Sequence, residues 1–370
     1  MAYEQDVPLA GLTTLGVGGP ARWLARCDSE ADVAQALAWG RERGLRTFVL
    51  GGGSNLLVAD TGFDGLVIQT EADALDLVDG GATVLLRADA GVDWDHLVAT
   101  ATAEGLAGVE CLSGIPGRVG AAPIQNIGAY GQEVAEVVRS VRVVDRRSGA
   151  ATDLSAESCG FGYRRSRFKG EWRDRFVITR VDLELRRSGP GPIRYGELAR
   201  RLGGRLGGHL DGQVDGQGAS LEEVRDAVLD LRRSKSMVLE PAAEGTPKDP
   251  NRRSAGSFFV NPVVDTADAD DVARRAAANG STRELPRFPA EPGRVKLSAA
   301  WLIEEAGFSR GYARGPAGLS TRHTLALVNR GGADAHHLVS LAREIRTGVQ
   351  RVFGVTLVPE PVFLGFDEPF

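Results

Sequence analysis

One hydroxyl group stands out among the residues that could do chemistry. Ser257 lies between a glycine and two phenylalanines in the segment AGSFFVNP. The apolar neighbours indicate a strand entering a core, and the glycine would let a ligand approach the backbone closely. No histidine lies nearby in the sequence to make Ser257 a nucleophile, although a triad partner can come from anywhere in a chain. A strand hydroxyl bonded to the backbone is the simpler alternative.

Two charged residues also stand in settings that suit chemistry. Arg164, in FGYRRSRFK, keeps its proton and can grip a carboxylate with two parallel hydrogen bonds. Arg165 and Arg167 beside it keep open the alternative of an ordinary surface arginine. Glu360 lies between two prolines in the apolar segment LVPEPVFLG, where burial would suit a protonated or hydrogen-bonding role. A structural glutamate paired with a core arginine is the alternative for Glu360.

Two glycine-rich segments could hold a ligand through their backbone. Residues 48–58, FVLGGGSNLLV, contain consecutive small residues whose N–H groups could turn toward one anion, as in a phosphate cradle. No Gly-Lys-Ser/Thr follows, so the segment is not a P-loop, and a plain tight turn is the alternative. Residues 112–134 form a long stretch with few charges, which is typical of a functional loop. This stretch offers backbone amides and the Gln125 and Asn126 side chains to a flat polar ligand, unless it is a surface loop.

The composition narrows the class of protein. A chain of 370 residues exceeds one ordinary core, so two or three domains are expected. A net charge of −5 with interspersed signs provides no basic field for nucleic acid. Cys27, Cys111 and Cys159 are widely spaced and odd in number, so we expect buried thiols in a reducing cytosol and no metal site. No apolar run approaches the roughly 18 residues of a spanning helix, and no signal peptide is evident, so a cytoplasmic protein without a membrane span is expected.

Hydrophobic periodicity predicts the elements that must position these residues. Short strands mixed with separate helices predict an α+β domain over residues 12–188, with helices over 31–43 and 94–105 and a strand pair near 176–186. Residues 189–234 form a glycine-rich connector or flap followed by a helix that starts at a capping box, Ser220 with Glu223. A second α+β unit is predicted over 235–370. Its predicted elements are strands at 257–260, 324–328 and 355–365 and helices at 268–278, 298–306 and 334–350.

Seven motifs occur together in the order found in a known family. They are GGGSNLLV, GIPGRVGAAPIQNIGAYGQE, FGYRRSRFK, AGSFFVNP, KLSAAWLIEEAGF, LSTRHTLALVNRGGA and LVPEPVFLG. Together they resemble the UDP-N-acetylenolpyruvoylglucosamine reductases, the MurB family, in its type I form, over residues 12–366. The resemblance implies an FAD-binding domain of the PCMH or vanillyl-alcohol-oxidase type, followed by a C-terminal α+β substrate domain. The last strand, 355–365, would return to the active site.

The resemblance also implies a cofactor and its contacts. FAD would be bound without a covalent tether, since none of the five histidines lies in either cofactor loop, and NADPH would donate hydride. One departure from the family is Thr13, which stands where an asparagine is usual and affects the expected adenine-side contacts. The residues expected to contact FAD are Gly51, Gly52, Gly53, Ser54, Asn55, Ser113, Gly114, Ile115, Pro116, Gly120, Asn126, Gly128, Ala129 and Tyr130.

The implied reaction assigns catalytic roles to Arg164, Ser257 and Glu360. Reduction of UDP-N-acetylglucosamine enolpyruvate would yield UDP-N-acetylmuramate for peptidoglycan synthesis. Hydride addition to the far alkene carbon leaves negative charge spread into the carboxylate, and a proton must reach the carbon beside it. Arg164 would hold the carboxylate, Glu360 would be protonated or hydrogen-bonding, and Ser257 would donate the proton as an acid.

Four further residues are expected to bind the UDP-sugar, a small-molecule partner. They are Tyr163, Tyr195, Lys235 and Asn261. Tyr195, in the connector, resembles the tyrosine that covers the nucleotide in type I members. Lys235 resembles the lysine that meets phosphate, with Lys248 and Arg252 as alternatives because the chain before Ser257 is longer than usual.

Two other functions compete with the reductase hypothesis. A flavin oxidase of the same superfamily would act on an alcohol or a sugar and release hydrogen peroxide. A sugar-nucleotide-binding protein without catalysis would bind UDP-sugars and lack flavin colour. Arg164, Ser257 and Glu360 occurring together argue against the second alternative.

Overall fold

The computed structural model describes residues 1–206, 218–239, 249–367 and 370. The chain divides into two compact units, each assembled from separate segments. Unit 1 contains Met1–Val7, Ala21–Gly52 and Asp64–Glu240, and unit 2 contains Pro8–Pro20, Gly53–Phe63 and Pro241–Phe370. The predicted division at residues 12–188, 189–234 and 235–370 stays a prediction.

Helices and strands both occur throughout the described residues. The helices are α1 (Glu30–Glu42), α2 (Trp94–Ala103), α3 (Gly196–Leu206), α4 (Leu221–Ser234), α5 (Thr266–Ala278), α6 (Ala299–Glu305) and α7 (Ala335–Phe353). The first ten strands are β1 (Tyr3–Pro8), β2 (Pro20–Cys27), β3 (Thr47–Leu50), β4 (Leu56–Val58), β5 (Phe63–Thr70), β6 (Leu75–Asp79), β7 (Thr83–Asp89), β8 (Leu106–Ala107), β9 (Gly128–Ala129) and β10 (Gln132–Glu133). The remaining strands are β11 (Val138–Asp145), β12 (Ala151–Ser155), β13 (Phe176–Arg187), β14 (Val263–Asp265), β15 (Arg287–Pro289), β16 (Arg294–Leu297), β17 (Ala313–Arg314), β18 (Ala317–Leu319), β19 (Leu327–Asn329) and β20 (Val362–Leu364).

Unit 1 is built mainly on two sheets, beside the two-stranded pair β10-β9. The larger sheet has the order β12-β11-β13-β7-β6, with β8 also pairing with β13, and its ladders are antiparallel. Its buried face, with Val141, Val181 and Leu183, packs against apolar side chains of α2. The smaller sheet has the order β1-β2-β5-β3, and α1 covers it. Helix α4 begins as the sequence predicts, since the Glu223 N–H donates to Ser220 Oγ over 3.2 Å and the Ser220 N–H donates to Glu223 Oε2 over 2.7 Å.

Unit 2 gathers three helices around one core. Helices α5, α6 and α7 bury apolar side chains together with Phe258, Phe259 and the sheet β17-β18-β19. A second small sheet has the order β14-β16-β15, and β20 pairs with β4 in parallel. The six helices predicted from periodicity are confirmed to within a few residues. Helix α7 ends at Gly354, whose φ of 73° is the left-handed conformation that glycine adopts most easily.

Four strand predictions differ from the structure. The pair expected near 176–186 is one continuous strand, β13. Residues 257–260 form no strand and carry a single isolated bridge, Phe259 to Pro359. In the last segment only Val362–Leu364 is a strand, because Pro359 and Pro361 lack the N–H group that a ladder needs. The predicted strand at 324–328 starts later, at Leu327, since a turn from His323 to Ala326 precedes it.

The expectation of buried thiols is confirmed, because all three cysteines are free and buried. Among the described residues, no helix is both long enough and apolar enough to cross a bilayer.

The Cys27 thiol makes folding sensitive to alkaline pH. Burial raises its pKa from 9.0 to about 12, so the folded chain keeps a proton that the unfolded chain loses above pH 9. This stabilisation is complete below pH 9 and is lost as the pH rises toward 12. We expect Cys27→Ala to flatten the fall of unfolding free energy in that range by up to about 1.4 kcal/mol per pH unit. Urea titrations between pH 8 and 11 measure the slope, and an unchanged slope would contradict the assignment.

Candidate active site

In unit 2, two extended segments carry Ser257 and Glu360. The Glu360 N–H donates to the Phe258 carbonyl over 2.8 Å, and the Val260 N–H donates to the Val358 carbonyl over 3.0 Å. Phe258 and Phe259 are fully buried and meet edge to face at 5.2 Å, which anchors the segment that bears the serine. Ser257 therefore lies one residue from the backbone bond that fixes Glu360, and both residues are half-buried.

The Ser257 hydroxyl is not used to hold the local fold. Its neighbours are fixed by other groups, since the Phe258 N–H donates to the Leu325 carbonyl over 2.8 Å and Thr14 Oγ1 donates to the Ser254 carbonyl over 2.6 Å. Within residues 1–206, 218–239 and 249–367, no hydrogen bond to Ser257 Oγ is present. Within the described residues, the Ser257 hydroxyl is therefore not hydrogen-bonded to the backbone, contrary to the simpler alternative.

The end of the glycine loop also reaches Glu360. The Val362 N–H donates to the Asn55 carbonyl over 2.9 Å, and Asn55 Nδ2 donates to the Glu360 carbonyl over 3.3 Å. These bonds extend the parallel pairing of β20 with β4. Unit 2 thus brings together three of the predicted residues, Asn55, Ser257 and Glu360.

The glycine loop that precedes Asn55 has the features of an anion cradle. A Cβ atom at Gly52 would lie 2.8 Å from Gly117 Cα, and a Cβ at Gly53, where φ is +63°, would overlap the Leu12 carbonyl oxygen. Across the described residues, the N–H groups of Gly52 and Gly53 donate to no protein acceptor, although Gly53 is buried. Buried backbone donors require a partner, and closely packed bare backbone is the usual way to present them to a phosphate. The loop therefore fits the pyrophosphate of FAD.

The second loop, which starts at Ser113 in unit 1, is fixed by side chains on both sides. The Gly114 N–H donates to Asp95 Oδ1 over 2.6 Å, and its carbonyl accepts from Arg232 Nε over 2.9 Å. The fully buried Ser113 hydroxyl donates to the Glu110 carbonyl over 2.6 Å, so this side chain is already engaged. A Cβ at Gly120 would lie 2.6 Å from the Ala90 Cβ. The loop consequently presents backbone more than side chains.

Asn126, in that loop, and Arg164, which lies outside it, together fix the loop backbone; we call these two residues the Asn126 bracket. The fully buried Asn126 amide donates to Glu133 Oε2 over 2.7 Å and to the Gly162 carbonyl over 3.0 Å, and its Oδ1 accepts from the Ala135 N–H over 3.0 Å. Arg164 Nη2 donates to the Gly128 carbonyl over 2.7 Å. Asn126 and Arg164 have φ values of 48° and 50°, a left-handed backbone that is costly for residues other than glycine. Such strain is typical of functional sites.

Loss of the Asn126 amide should destabilise this bracket. Asn126→Ala removes three hydrogen bonds, leaves the Ala135 N–H without its acceptor and places alanine in a left-handed conformation that asparagine tolerates better. We expect a loss of about 2–4 kcal/mol in unfolding free energy, measured by urea denaturation. The control is Asn279→Ala, at an exposed position after α5, which should change stability by less than about 0.5 kcal/mol. If the two substitutions lowered the unfolding free energy equally, the stabilising role of Asn126 would be contradicted.

A third group of predicted residues meets around Tyr130 in unit 1; we call Tyr130, Tyr195, Lys235 and Glu197 the Tyr130 cluster. The Tyr130 and Tyr195 rings lie edge to face at 5.3 Å. Lys235 Nζ lies 5.9 Å from the Tyr130 ring centre and donates to Glu197 Oε2 over 2.6 Å. Burial raises the pKa of Tyr130 to about 12 and also raises the pKa of Tyr195. Both phenols therefore remain hydroxyl donors at neutral pH.

The other predicted residues have separate settings. Tyr163 is 39% exposed, with the Arg164 guanidinium 5.8 Å above its ring. Asn261 Oδ1 accepts from the Ala299 N–H over 2.9 Å at the start of α6. Ile115 and Ala129 pack against the unit 1 core. Arg252 is half-buried, and Lys248 lies outside the described residues.

Three residues that fix the site by side-chain hydrogen bonds were not predicted from the sequence. Glu197 pairs with Lys235, Arg232 holds Gly114 and the Met237 carbonyl, and Glu133 holds Asn126. Burial lowers the pKa of Arg232, which is 6% exposed. A usable signal was available for Glu197 alone, because it follows Tyr195 by two positions and opens a predicted helical piece.

Two models of known protein families match the chain, one in its N-terminal part and one in its C-terminal part. Residues 21–155 match the model of an FAD binding domain, and residues 248–364 match that of the UDP-N-acetylenolpyruvoylglucosamine reductase C-terminal domain. The reductase of that name from Thermobifida fusca is 52% identical over 375 residues, which cover 98% of each chain. The chain belongs to the UDP-N-acetylenolpyruvoylglucosamine reductase family.

Two further reductases of this family are also similar to the chain over nearly its full length. The Streptomyces coelicolor reductase is 47% identical over 97% of this chain and 90% of its own. The crystal structure of the Thermus caldophilus reductase is 28% identical, covers 98% of this chain and 99% of its own, and superimposes with a TM-score of 0.63. The family and fold predicted from seven motifs are confirmed: an FAD-binding domain followed by the reductase C-terminal α+β domain.

Proposed function

We propose that the protein reduces UDP-N-acetylglucosamine enolpyruvate to UDP-N-acetylmuramate for peptidoglycan synthesis, as an FAD-dependent oxidoreductase that uses NADPH. The observation that carries this function is the backbone pairing of the Ser257 segment with Glu360, in a chain similar to such reductases from end to end. The Ser257 hydroxyl is half-buried and makes no hydrogen bond within the described residues, and its segment pairs through the backbone with half-buried Glu360, a setting that suits proton delivery.

The catalytic roles follow from the charge that develops on the substrate. When bound, FAD would supply the hydride chemistry at the far carbon of the enol ether, with NADPH as the source of the hydride. Arg164 holds the substrate carboxylate and stabilises the charge that spreads into it. Ser257 donates a proton to the carbon beside the carboxylate, and Glu360 serves as a protonated or hydrogen-bonding neighbour. A serine suffices as the acid because the enolic intermediate is a strong base.

The binding roles are part of the same proposal. Gly51, Gly52, Gly53, Ser54 and Asn55 contact the FAD pyrophosphate, and Ser113, Gly114, Ile115, Pro116, Gly120, Asn126, Gly128, Ala129 and Tyr130 flank the flavin ring. Tyr163, Tyr195, Lys235 and Asn261 bind the UDP-sugar, with Lys235 on phosphate in preference to Lys248 or Arg252. The ion pair of Lys235 with Glu197 beside two tyrosines supports that preference. The protein acts in the cytoplasm without nucleic acid, with FAD on residues 12–188 and substrate contacts on 235–370. Residues 189–234 serve as a connector or flap followed by a helix, and 207–217 of that range lie outside the described residues.

An absorption spectrum tests the function. The pure protein should be yellow, lose its flavin absorbance when NADPH is added without oxygen, and regain it when the enol ether follows. Initial-rate plots should be parallel, because NADPH and substrate use one pocket in turn. A colourless protein that binds UDP-sugars would overturn the proposal, as would hydrogen peroxide formed from an alcohol or a sugar without NADPH. Intersecting plots, with no bleaching by NADPH alone, would contradict alternating use of the pocket.

A further inference from the structure

Lys235 is held in place from two directions. Its backbone closes α4, where the Lys235 N–H donates to the Arg232 carbonyl over 3.1 Å, and the next residue, Ser236, has a φ of 57°. Buried Arg232 ties the same turn to the rest of unit 1 by donating to the Gly114 and Met237 carbonyls. The backbone that carries the lysine is therefore well fixed, and the side chain then crosses from α4 to α3.

Glu197 fixes the other end of that side chain. It lies in the first turn of α3, and its Oε2 accepts from Lys235 Nζ over 2.6 Å, with the two side chains 36% and 23% exposed. A lysine in water samples many rotamers, so a short bond to a carboxylate on a neighbouring helix limits its freedom. The ammonium group is consequently kept beside the Tyr130 ring.

Glu197 also sets the charge of the Tyr130 cluster. Tyr130 and Tyr195 are neutral phenols, so the ion pair of Lys235 with Glu197 has no net charge within the cluster. Arg232 lies near Tyr130, with Asp95 in turn near Arg232, and the Arg200 guanidinium lies near Gly196, so two further cationic side chains border the cluster. A diphosphate that meets Lys235 would be attracted by the arginines and the lysine and repelled by the carboxylate.

We propose that Glu197 is a positioning residue that holds the Lys235 ammonium in place and lowers the positive charge presented to the substrate diphosphate. The inference rests on the proposed function, which places the UDP-sugar at Lys235. Glu197 thereby limits how tightly the nucleotide is bound, and so keeps the product from being retained after reduction. Loss of its charge and loss of its hydrogen bond have opposite consequences, which makes the role separable by mutation.

Two substitutions separate the charge from the restraint. Glu197→Gln keeps a hydrogen-bond acceptor for Lys235 and removes the negative charge. We expect it to bind UDP and UDP-N-acetylmuramate roughly three- to tenfold more tightly in calorimetric titrations, with a lower KM for the substrate and no gain in kcat. The gain should shrink at high salt. Glu197→Ala changes the charge equally and releases the lysine, so it should bind UDP more weakly than Glu197→Gln.

Asp230→Asn is the matched control. Asp230 accepts from Arg201 over 2.9 Å, so it forms a second ion pair between the same two helices, and it is not part of the Tyr130 cluster. Its neutralisation should leave UDP affinity within about twofold of the parent value.

Each result bears on the role of Glu197. The role is overturned if Glu197→Gln binds UDP no better than the parent, or if the Gln and Ala variants bind it equally. It is also overturned if Asp230→Asn gains as much affinity as Glu197→Gln. A parent protein that binds neither UDP nor UDP-N-acetylmuramate would overturn the proposed function instead.

Discussion

Ser257→Ala should retain FAD and its reduction by NADPH, yet lose most of the reduction of the enol ether. The hydroxyl has no hydrogen bond among the residues that the structure describes, while Phe258 and Phe259 anchor the segment from the core. Removing it should therefore leave the fold intact and remove the proton donor. Because a positioned acid contributes about 10²- to 10⁴-fold, we expect kcat to fall by a factor in that range.

Rapid mixing separates the two half-reactions of this variant. The rate of flavin bleaching by NADPH should match that of the parent, and the return of flavin absorbance after addition of the enol ether should be slowed. Ser254→Ala is the matched control, since it removes the same atom three residues earlier, where the hydroxyl accepts from the Gly256 N–H over 3.4 Å. We expect turnover within about threefold of the parent, because that bond is weak and long. Normal turnover of Ser257→Ala would remove Ser257 from the chemistry.

Local sequence signals are sufficient to predict most of the helices, and the ordered motifs are sufficient to predict the family. Helix α4 is an example, because its capping box and apolar spacing lie within one short segment. The segment at 257–260 is predicted as a strand from its run of bulky apolar side chains, which is a local property of the sequence. Its neighbour in the structure is the proline-containing segment at 358–360, about 100 residues later, and that partner decides that only an isolated bridge forms.

The individual residues of the candidate site could be proposed from the sequence. The hydrogen bonds and ion pairs that position those residues could not. The sequence predicts that Arg164 faces a carboxylate. The structure adds that its guanidinium donates a hydrogen bond to the Gly128 carbonyl. Lys235 was expected to meet phosphate, and the structure adds a carboxylate 38 positions earlier that limits its movement. Such pairs depend on which loops meet in space, and residue types within one motif carry no information about that.

The glycine loop shows how the structure ranks residues that look equal in sequence. At Gly51 a Cβ would make ordinary contacts, 3.5 Å from the Ala121 Cβ, whereas at Gly52 it would press on the Gly117 backbone. Gly53 has both a positive φ and a carbonyl oxygen, that of Leu12, in the place where a Cβ would lie. Since backbone atoms cannot rotate away, Gly53 is the position at which a methyl group should do most harm.

Gly53→Ala should therefore lose FAD affinity as well as stability, and Gly44→Ala should lose stability alone. Both glycines have a φ of +63°, so each alanine carries the same left-handed strain of about 1–2 kcal/mol. A Cβ at Gly44 meets nothing within 4 Å, whereas one at Gly53 must displace the loop whose N–H groups face the proposed pyrophosphate. We expect FAD to bind Gly53→Ala at least about tenfold more weakly, a loss of about 1.4 kcal/mol, with additional loss of unfolding free energy.

Flavin content per chain, FAD titration and urea denaturation of both variants measure these effects. Gly44→Ala should purify with the flavin content of the parent and be destabilised by the strain alone. Gly44 and Gly53 have the same φ. Any further loss of stability or flavin in Gly53→Ala therefore reports the close approach of the Gly53 backbone to the Leu12 carbonyl. If both variants kept the same flavin content and lost the same stability, the cradle at residues 51–55 would not be where FAD binds.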